Sequence, residues 1–294
     1  MFWTIDPHWI LNVRCDALTL FFKIFPFFAS DYFFMSAIGI GYWLRPQIPL
    51  FIHLGFLIPF SALINRLLKL FFSIPRPPSS LHLISLQDPW GFPSGDAQIG
   101  AVFWGCLFLA SSSRFVRIFC AGMIVTMMAS RVYLGVHSLN DVVAGFLFGV
   151  LILFLWNNSY VRRITSKWFE GKQTSLYLLI VAILLLYLIA SHGAFYSSRP
   201  LACVGALLGY SYCLPYLHAQ ISIFQPLSFK KILIIMGSLA SLVIFAKSMS
   251  FAEENNFILY SSVILKYAIL AMMVYIFLPK YQQKIMRMKF FSGS

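Results

Sequence analysis

The sequence predicts an all-α fold, a polytopic membrane bundle of about nine transmembrane helices with an N-terminal interfacial helix. Three observations lead there. Hydrophobic residues make up 60% of the 294 positions and charged residues only 11%, whereas soluble domains run near 25% charged. The apolar residues gather in runs close to the roughly 17 to 25 that a helix needs to cross a bilayer. The basic residues sit mainly in the short gaps between those runs. A soluble globular protein, a disordered tail and a repeat solenoid are excluded.

Residues 1–28 hold Arg14, Asp16 and Lys23 too closely spaced for a lipid-spanning helix, so an amphipathic segment lying in the interface is expected. The stretch has neither the basic n-region nor the small-residue cleavage site of a signal peptide. Nine apolar runs follow: Ala29–Leu44, Ile48–Leu68, Gly95–Ala110, Val116–Arg131, Leu139–Trp156, Ser175–Ser191, Pro200–His218, Ile232–Lys247 and Phe257–Leu278. A basic loop at 157–174 separates a five-span core, 29–156, from a four-span region with a basic tail, 175–294. Arg45, Arg114, Arg117, Arg162, Arg163, Lys230 and Lys280 fall on one side of this layout. By the positive-inside rule that side is cytoplasmic, which puts the N-terminus outside and the C-terminus inside. The compact loops suggest a bacterial inner membrane, with endoplasmic reticulum as the alternative.

The net charge of +13 does not suggest a nucleic-acid partner, since no basic stripe interleaved with aromatics lies on a polar segment. The five cysteines form no CxxC, and the histidines show no mutual ligand spacing. No metal and no cofactor are expected. Membrane lipids are the expected surroundings, and the oligomeric state is open.

Three clusters fall at the outer ends of the core helices. Lys69 and Arg76-Pro77 close the second span, Pro93-Ser94-Gly95-Asp96 opens the third, and Ser130-Arg131 through His137 to Asp141 joins the fourth to the fifth. Ionisable groups at membrane ends are costly to bury and are functional candidates by default. Lys69, Arg76 and Arg131 supply cations from different helix ends. Ser94 and Gly95 supply a turn at a helix N-terminus, where free N–H groups and the dipole favour a phosphate. His137 and Asp141 are four apart, so both can lie on one helical face. A carboxylate on one imidazole nitrogen fixes the tautomer and leaves the other nitrogen free as a nucleophile. Lone bases at a helix end would read as snorkelling anchors, and Asp141 also suits an N-terminal cap.

The order K-x6-R-P, P-S-G, S-R-x5-H-x3-D resembles the signature of the type 2 phosphatidic acid phosphatase superfamily over residues 30–156. The resemblance implies a metal-independent phosphatase working through a phosphohistidine. It implies His137 as nucleophile, Asp141 as its partner, and Lys69, Arg76, Ser94, Gly95 and Arg131 as phosphate ligands. The nine-span layout is similar to the glucose-6-phosphatase branch in topology only. One position departs from the pattern: where the family has a general-acid histidine, this chain has Asp96. Three readings stand open there: a working acid, a structural acid at a helix start, or an impaired site. A weakened acid would favour a leaving group that needs no proton, hence a prenyl diphosphate over a lipid monoester. The expected substrate is a lipid phosphate or diphosphate. A phosphotransferase, or a lipid-phosphate binding or transport protein without catalysis, is the alternative.

Overall fold

The computed structural model describes residues 7–45, 48–86, 88–158, 199–220, 229–248 and 256–287. These residues are overwhelmingly helical and fall into two compact units. The first takes in those of Met1–Phe33, Phe60–Thr165 and Leu185–Pro200, the second those of Phe34–Pro59 and Leu201–Ser294. The expected span Ser175–Ser191 and most of the basic loop 157–174 lie outside the described residues.

In the first unit a 3-10 segment, Pro7–Val13, leads into α1, Asp16–Phe22, and a second 3-10 segment, Phe25–Ala29. This stretch leaves Trp9, Leu11, Val13, Leu20, Phe21 and Ile24 exposed, the apolar face expected of a segment at a lipid interface. Its inner side is fixed by polar contacts. Arg14 donates to the carbonyls of Leu81 and Tyr133, and the Tyr133 hydroxyl exchanges hydrogen bonds with the main chain of Cys15 at 3.0 Å. Ile10 is buried with Leu81, Tyr133, Leu134 and Val136. The following α2, Asp31–Leu44, passes from the first unit into the second, and the bent pair it forms with the preceding helical stretch counts as at most one span.

Helix α3, Leu50–Phe72, is 23 residues long. At 1.5 Å per residue that length suffices for a hydrocarbon core about 30 Å thick. Its last turn carries Lys69, and the chain leaves it through Ser73, whose φ of 50° is left-handed. Helix α4, Gly95–Ala110, has the boundaries expected from the sequence and packs against both α5, Arg114–Tyr133, and α6, Leu139–Asn157. Gly145 permits the α4–α6 approach, because a Cβ there would stand 2.3 Å from the Ser94 carbonyl oxygen. The turn after α5 needs Gly135, whose φ is +74° and whose Cβ would meet the Leu81 carbonyl oxygen at 2.1 Å. An L side chain is excluded there both by backbone conformation and by space.

The second unit contains the helices Arg199–Gln220, Phe229–Ser248 and Asn256–Met272, then a π-helical turn, Met273–Phe277, and a last helix, Leu278–Arg287. The π-turn directs the Val274 carbonyl to the Trp43 indole, which donates to it at 2.8 Å. The Tyr275 hydroxyl donates to the Phe51 carbonyl at 2.9 Å, and the Tyr42 and Tyr210 rings lie edge-on to Tyr275. Four described helices are long and apolar enough to cross a membrane, or five with the bent pair. They include α3, α5, α6 and Ser261–Lys284, while α4 and Pro200–Leu214 are shorter apolar helices.

Candidate active site

The three clusters meet in the first unit. His137 lies between α5 and α6, 6% exposed. Its Nε2 is 2.9 Å from Nη1 of Arg76. A guanidinium can only donate, so Nε2 accepts and the neutral ring carries its proton on Nδ1. That nitrogen faces Asp141 Oδ2 at 3.5 Å, a proximity of charge rather than a hydrogen bond. Burial, and then the positive charges of Arg76, Lys69 and Arg131, push the His137 imidazole well below its ordinary value. The ring is therefore neutral at pH 7, with the Nε2 lone pair accepting from Arg76.

Asp141 also holds the start of α6. Its Oδ2 accepts from the Ser138 main-chain N–H at 2.8 Å, and its own N–H donates to Ser138 Oγ at 3.2 Å, a capping box. Its carbonyl accepts from Ser94 N–H at 2.9 Å, which ties the start of α6 to the start of α4.

At the α4 N-terminus the Ser94 hydroxyl is fully buried and makes no hydrogen bond. The first N–H groups of the helix have no intrahelical acceptors, so hydroxyl and amides together form an anion-accepting end. A chain of buried amides holds this end to α3. Asn65 donates to the Pro93 carbonyl at 3.2 Å and to Gln98 Oε1 at 3.0 Å, and Gln98 donates to the Ser61 carbonyl at 2.9 Å. Gly95 fits because a Cβ there would come within 2.8 Å of Asn65 Oδ1.

The cations come from three directions. Arg76 donates from Nε to the Asp88 carbonyl at 2.7 Å and from Nη1 to the Val136 carbonyl at 3.0 Å. Lys69, 5% exposed, donates to the Trp90 carbonyl and sits 3.3 Å from Asp88 Oδ2. Arg131, 3% exposed, pairs through Nη1 with Asp96 Oδ2 at 2.8 Å, while its Nη2 makes no hydrogen bond. Asp96 thus lies in the cluster as the counter-ion of an expected phosphate ligand. No group of three His, Cys, Asp or Glu able to hold a metal ion occurs among the described residues.

All eight residues singled out from the sequence are accounted for: Lys69, Arg76, Ser94, Gly95, Asp96, Arg131, His137 and Asp141 surround one locus. Sequence reasoning missed Asp88. Burial acts upward on its carboxyl, but Lys69 and Arg66 outweigh it and hold the group below its ordinary value. The available signal was its position as the single acid between Arg76 and Asp96.

Comparison with known proteins bears on the same stretch. Residues 50–165 match the family model of the PAP2 superfamily. Over 104 residues the chain is 32% identical to phosphatidylglycerophosphatase B of Bacillus subtilis (strain 168), covering 32% of this chain and 50% of that relative. The chain thus spans half the length of the curated relative it matches. No solved structure matches it. The match to the PAP2 superfamily thus falls on residues 50–165, the segment that carries every one of the clustered side chains.

Proposed function

We propose that the protein is an integral-membrane lipid phosphatase acting through a phosphohistidine at His137. The observation that carries this reading is the neutral imidazole itself, with Nε2 turned to Arg76 and Nδ1 to Asp141. Arg76, Lys69 and Arg131 hold the phosphoryl oxygens, and Ser94 with the amides at Gly95 completes the cradle. Nε2 attacks phosphorus, the bond to the lipid oxygen breaks, and Asp141 stabilises the positive charge left on the ring. Water then attacks the phosphohistidine and releases inorganic phosphate. The side chains named supply nucleophile, clamp and orienter, so no cofactor is part of this scheme.

Asp96 bears on the choice of substrate. Engaged with Arg131, it is a poor candidate for protonating a lipid alkoxide. A lipid phosphate leaving from a diphosphate has a second pKa of about 6 and departs without that help. We therefore assign a preference for a prenyl diphosphate over a lipid monoester. The relative's name points to phosphatidylglycerophosphate as the monoester for comparison. The distribution of bases favours this site outside, the N-terminus outside and the C-terminus cytoplasmic, and the compact loops favour a bacterial inner membrane over the endoplasmic reticulum.

A second reading, a lipid-phosphate binder without catalysis, draws support from the same ion pair, since Asp96 occupies a cation that phosphate would use. Phosphate release from purified protein separates the two, using short-chain phosphatidate, phosphatidylglycerophosphate and prenyl diphosphate, with His137→Ala as the blank. Release above the blank, fastest for the diphosphate, is expected. Wild type and blank equally inactive on all three would leave the binder. Trapping of phosphohistidine without phosphate release would indicate transfer to a hydroxyl other than water.

A further inference from the structure

The site contains a carboxylate that this chemistry does not use. Asp88 Oδ1 lies 3.1 Å from Nη1 of Arg66 and accepts from the Trp90 N–H at 3.2 Å. Its Oδ2 lies 3.3 Å from Lys69 Nζ. The Asp88 carbonyl takes Nε of Arg76, and the Pro89 carbonyl accepts from the Arg76 N–H at 3.3 Å. Gly91 N–H donates to the Ile74 carbonyl at 2.8 Å, beside an isolated bridge between Pro75 and Trp90. The short segment 88–90 is thus fastened to the chain leaving α3, and it faces both cations of the first cluster.

The arrangement matters most for Lys69. An ammonium on a four-carbon stem is a point charge with three rotatable donors and little orientation of its own. Here the Trp90 carbonyl and Asp88 Oδ2 lie against two of those donors, which leaves one for an incoming oxygen. The Lys69 side chain is 6% exposed and that of Asp88 20%, so the ammonium is the more deeply buried of the two. Arg66, on the same face of α3 one turn earlier, holds the other carboxylate oxygen and keeps Asp88 from turning away.

We propose that Asp88 is a positioning residue for phosphate binding: its carboxylate, steadied by Arg66, orients the Lys69 ammonium toward the phosphoryl oxygens. A cation held in place before the ligand arrives binds more tightly, because less freedom is lost on binding. The proposal rests on the phosphatase reading, and its test separates the two.

The full chain in detergent is assayed with short-chain phosphatidate as substrate and inorganic phosphate as competitive inhibitor. Asp88→Asn is expected to raise KM and the phosphate inhibition constant together by about tenfold, with kcat within about threefold. Asp88→Glu, which restores the charge, is expected to recover most of both. A contribution to folding alone would lower the melting temperature and the active fraction, hence apparent kcat, with KM unchanged, and that result overturns the proposal. So does a lowered KM, which would make Asp88 a competitor of phosphate. If Asp88→Asn does not fold, Asp88→Ser is read in the same way. If wild type is inactive on every lipid phosphate, the phosphatase reading fails. Inorganic-phosphate binding by calorimetry then decides: about tenfold weaker binding to Asp88→Asn supports positioning, and equal binding overturns it.

Discussion

Asp141→Asn is the substitution that most cleanly divides the two duties of one side chain. As the third residue of the α6 capping box it is nearly indifferent to the change, since an amide oxygen can still accept from Ser138 N–H. As a partner of His137 it is not indifferent, because the charge disappears. At 3.5 Å and an effective dielectric of about 20, a full charge on the ring and one on Asp141 attract by about 5 kcal/mol. That figure is an upper bound, as the ring is charged only once phosphorylated and water screens part of it. At 1.4 kcal/mol per factor of ten, kcat should fall by about 100- to 1000-fold. The measurement is kcat for diphosphate hydrolysis beside a thermal melt of the same preparation. Ser138→Ala is the counterpart, losing about 1 kcal/mol of stability through the cap with a much smaller fall in kcat. A loss of less than tenfold in Asp141→Asn, with the melt unchanged, would refute the electrostatic role assigned to this carboxylate.

Other outcomes follow from the same geometry. Asp96→His should raise turnover of phosphatidate relative to prenyl diphosphate, measured as the ratio of kcat/KM values; an unchanged ratio counts against a proton-donor deficit at this position. The depressed ionisation of His137 makes the unfolded chain the better proton binder between the depressed value and about 6.5. The stability held at neutral pH is therefore lost as pH falls below about 6.5, and His137→Gln should flatten the dependence of melting temperature on pH over that window. Gly135→Ala should destabilise by about 2 kcal/mol or more through its positive φ and the Leu81 carbonyl, which a denaturant titration would register. Gln98→Leu leaves the Asn65 amide short of an acceptor in a buried setting and should cost about 1 to 3 kcal/mol, with weaker phosphate binding as Pro93–Gly95 loosens.

Much of the site was legible because its chemistry sits at helix ends, and helix ends are where a sequence is most explicit. Ser138 with Asp141 announces the start of α6 as a cap, and Gly95–Ala110 is bounded by turn residues on both sides. His137 precedes the Ser138 cap rather than lying on α6, so its proximity to Asp141 comes from the way the chain enters the helix. What sequence could not show depends on long closures. Asp88 reaches back 22 residues to Arg66, and its neighbours in sequence, a glutamine and a proline, suggest only a turn. The Arg131–Asp96 pair spans two helices, so the position that looked anomalous by pattern gained a partner only in three dimensions. Of the nine expected spans, the described residues contain four helices long and apolar enough to cross a membrane, or five with the bent pair. Helix α4, a shorter apolar helix, packs against both α5 and α6 and buries Ala97–Cys106.

The anchoring of residues 7–29 has a practical side for anyone handling the protein. Arg14 holds the carbonyls of Leu81 and Tyr133, Cys15 holds the Tyr133 hydroxyl just before the turn at Leu134–Val136, and the Ser130 hydroxyl donates to the Phe22 carbonyl at 3.0 Å. The loop that presents His137 is therefore held partly by residues 7–29. A bulky fusion at the amino end, or a detergent that strips the exposed face of Trp9, Leu20 and Phe21 from its lipid, pulls on the same turn. Affinity tags belong at the other end, and an apparently dead preparation calls for a change of tag or detergent before a change of substrate.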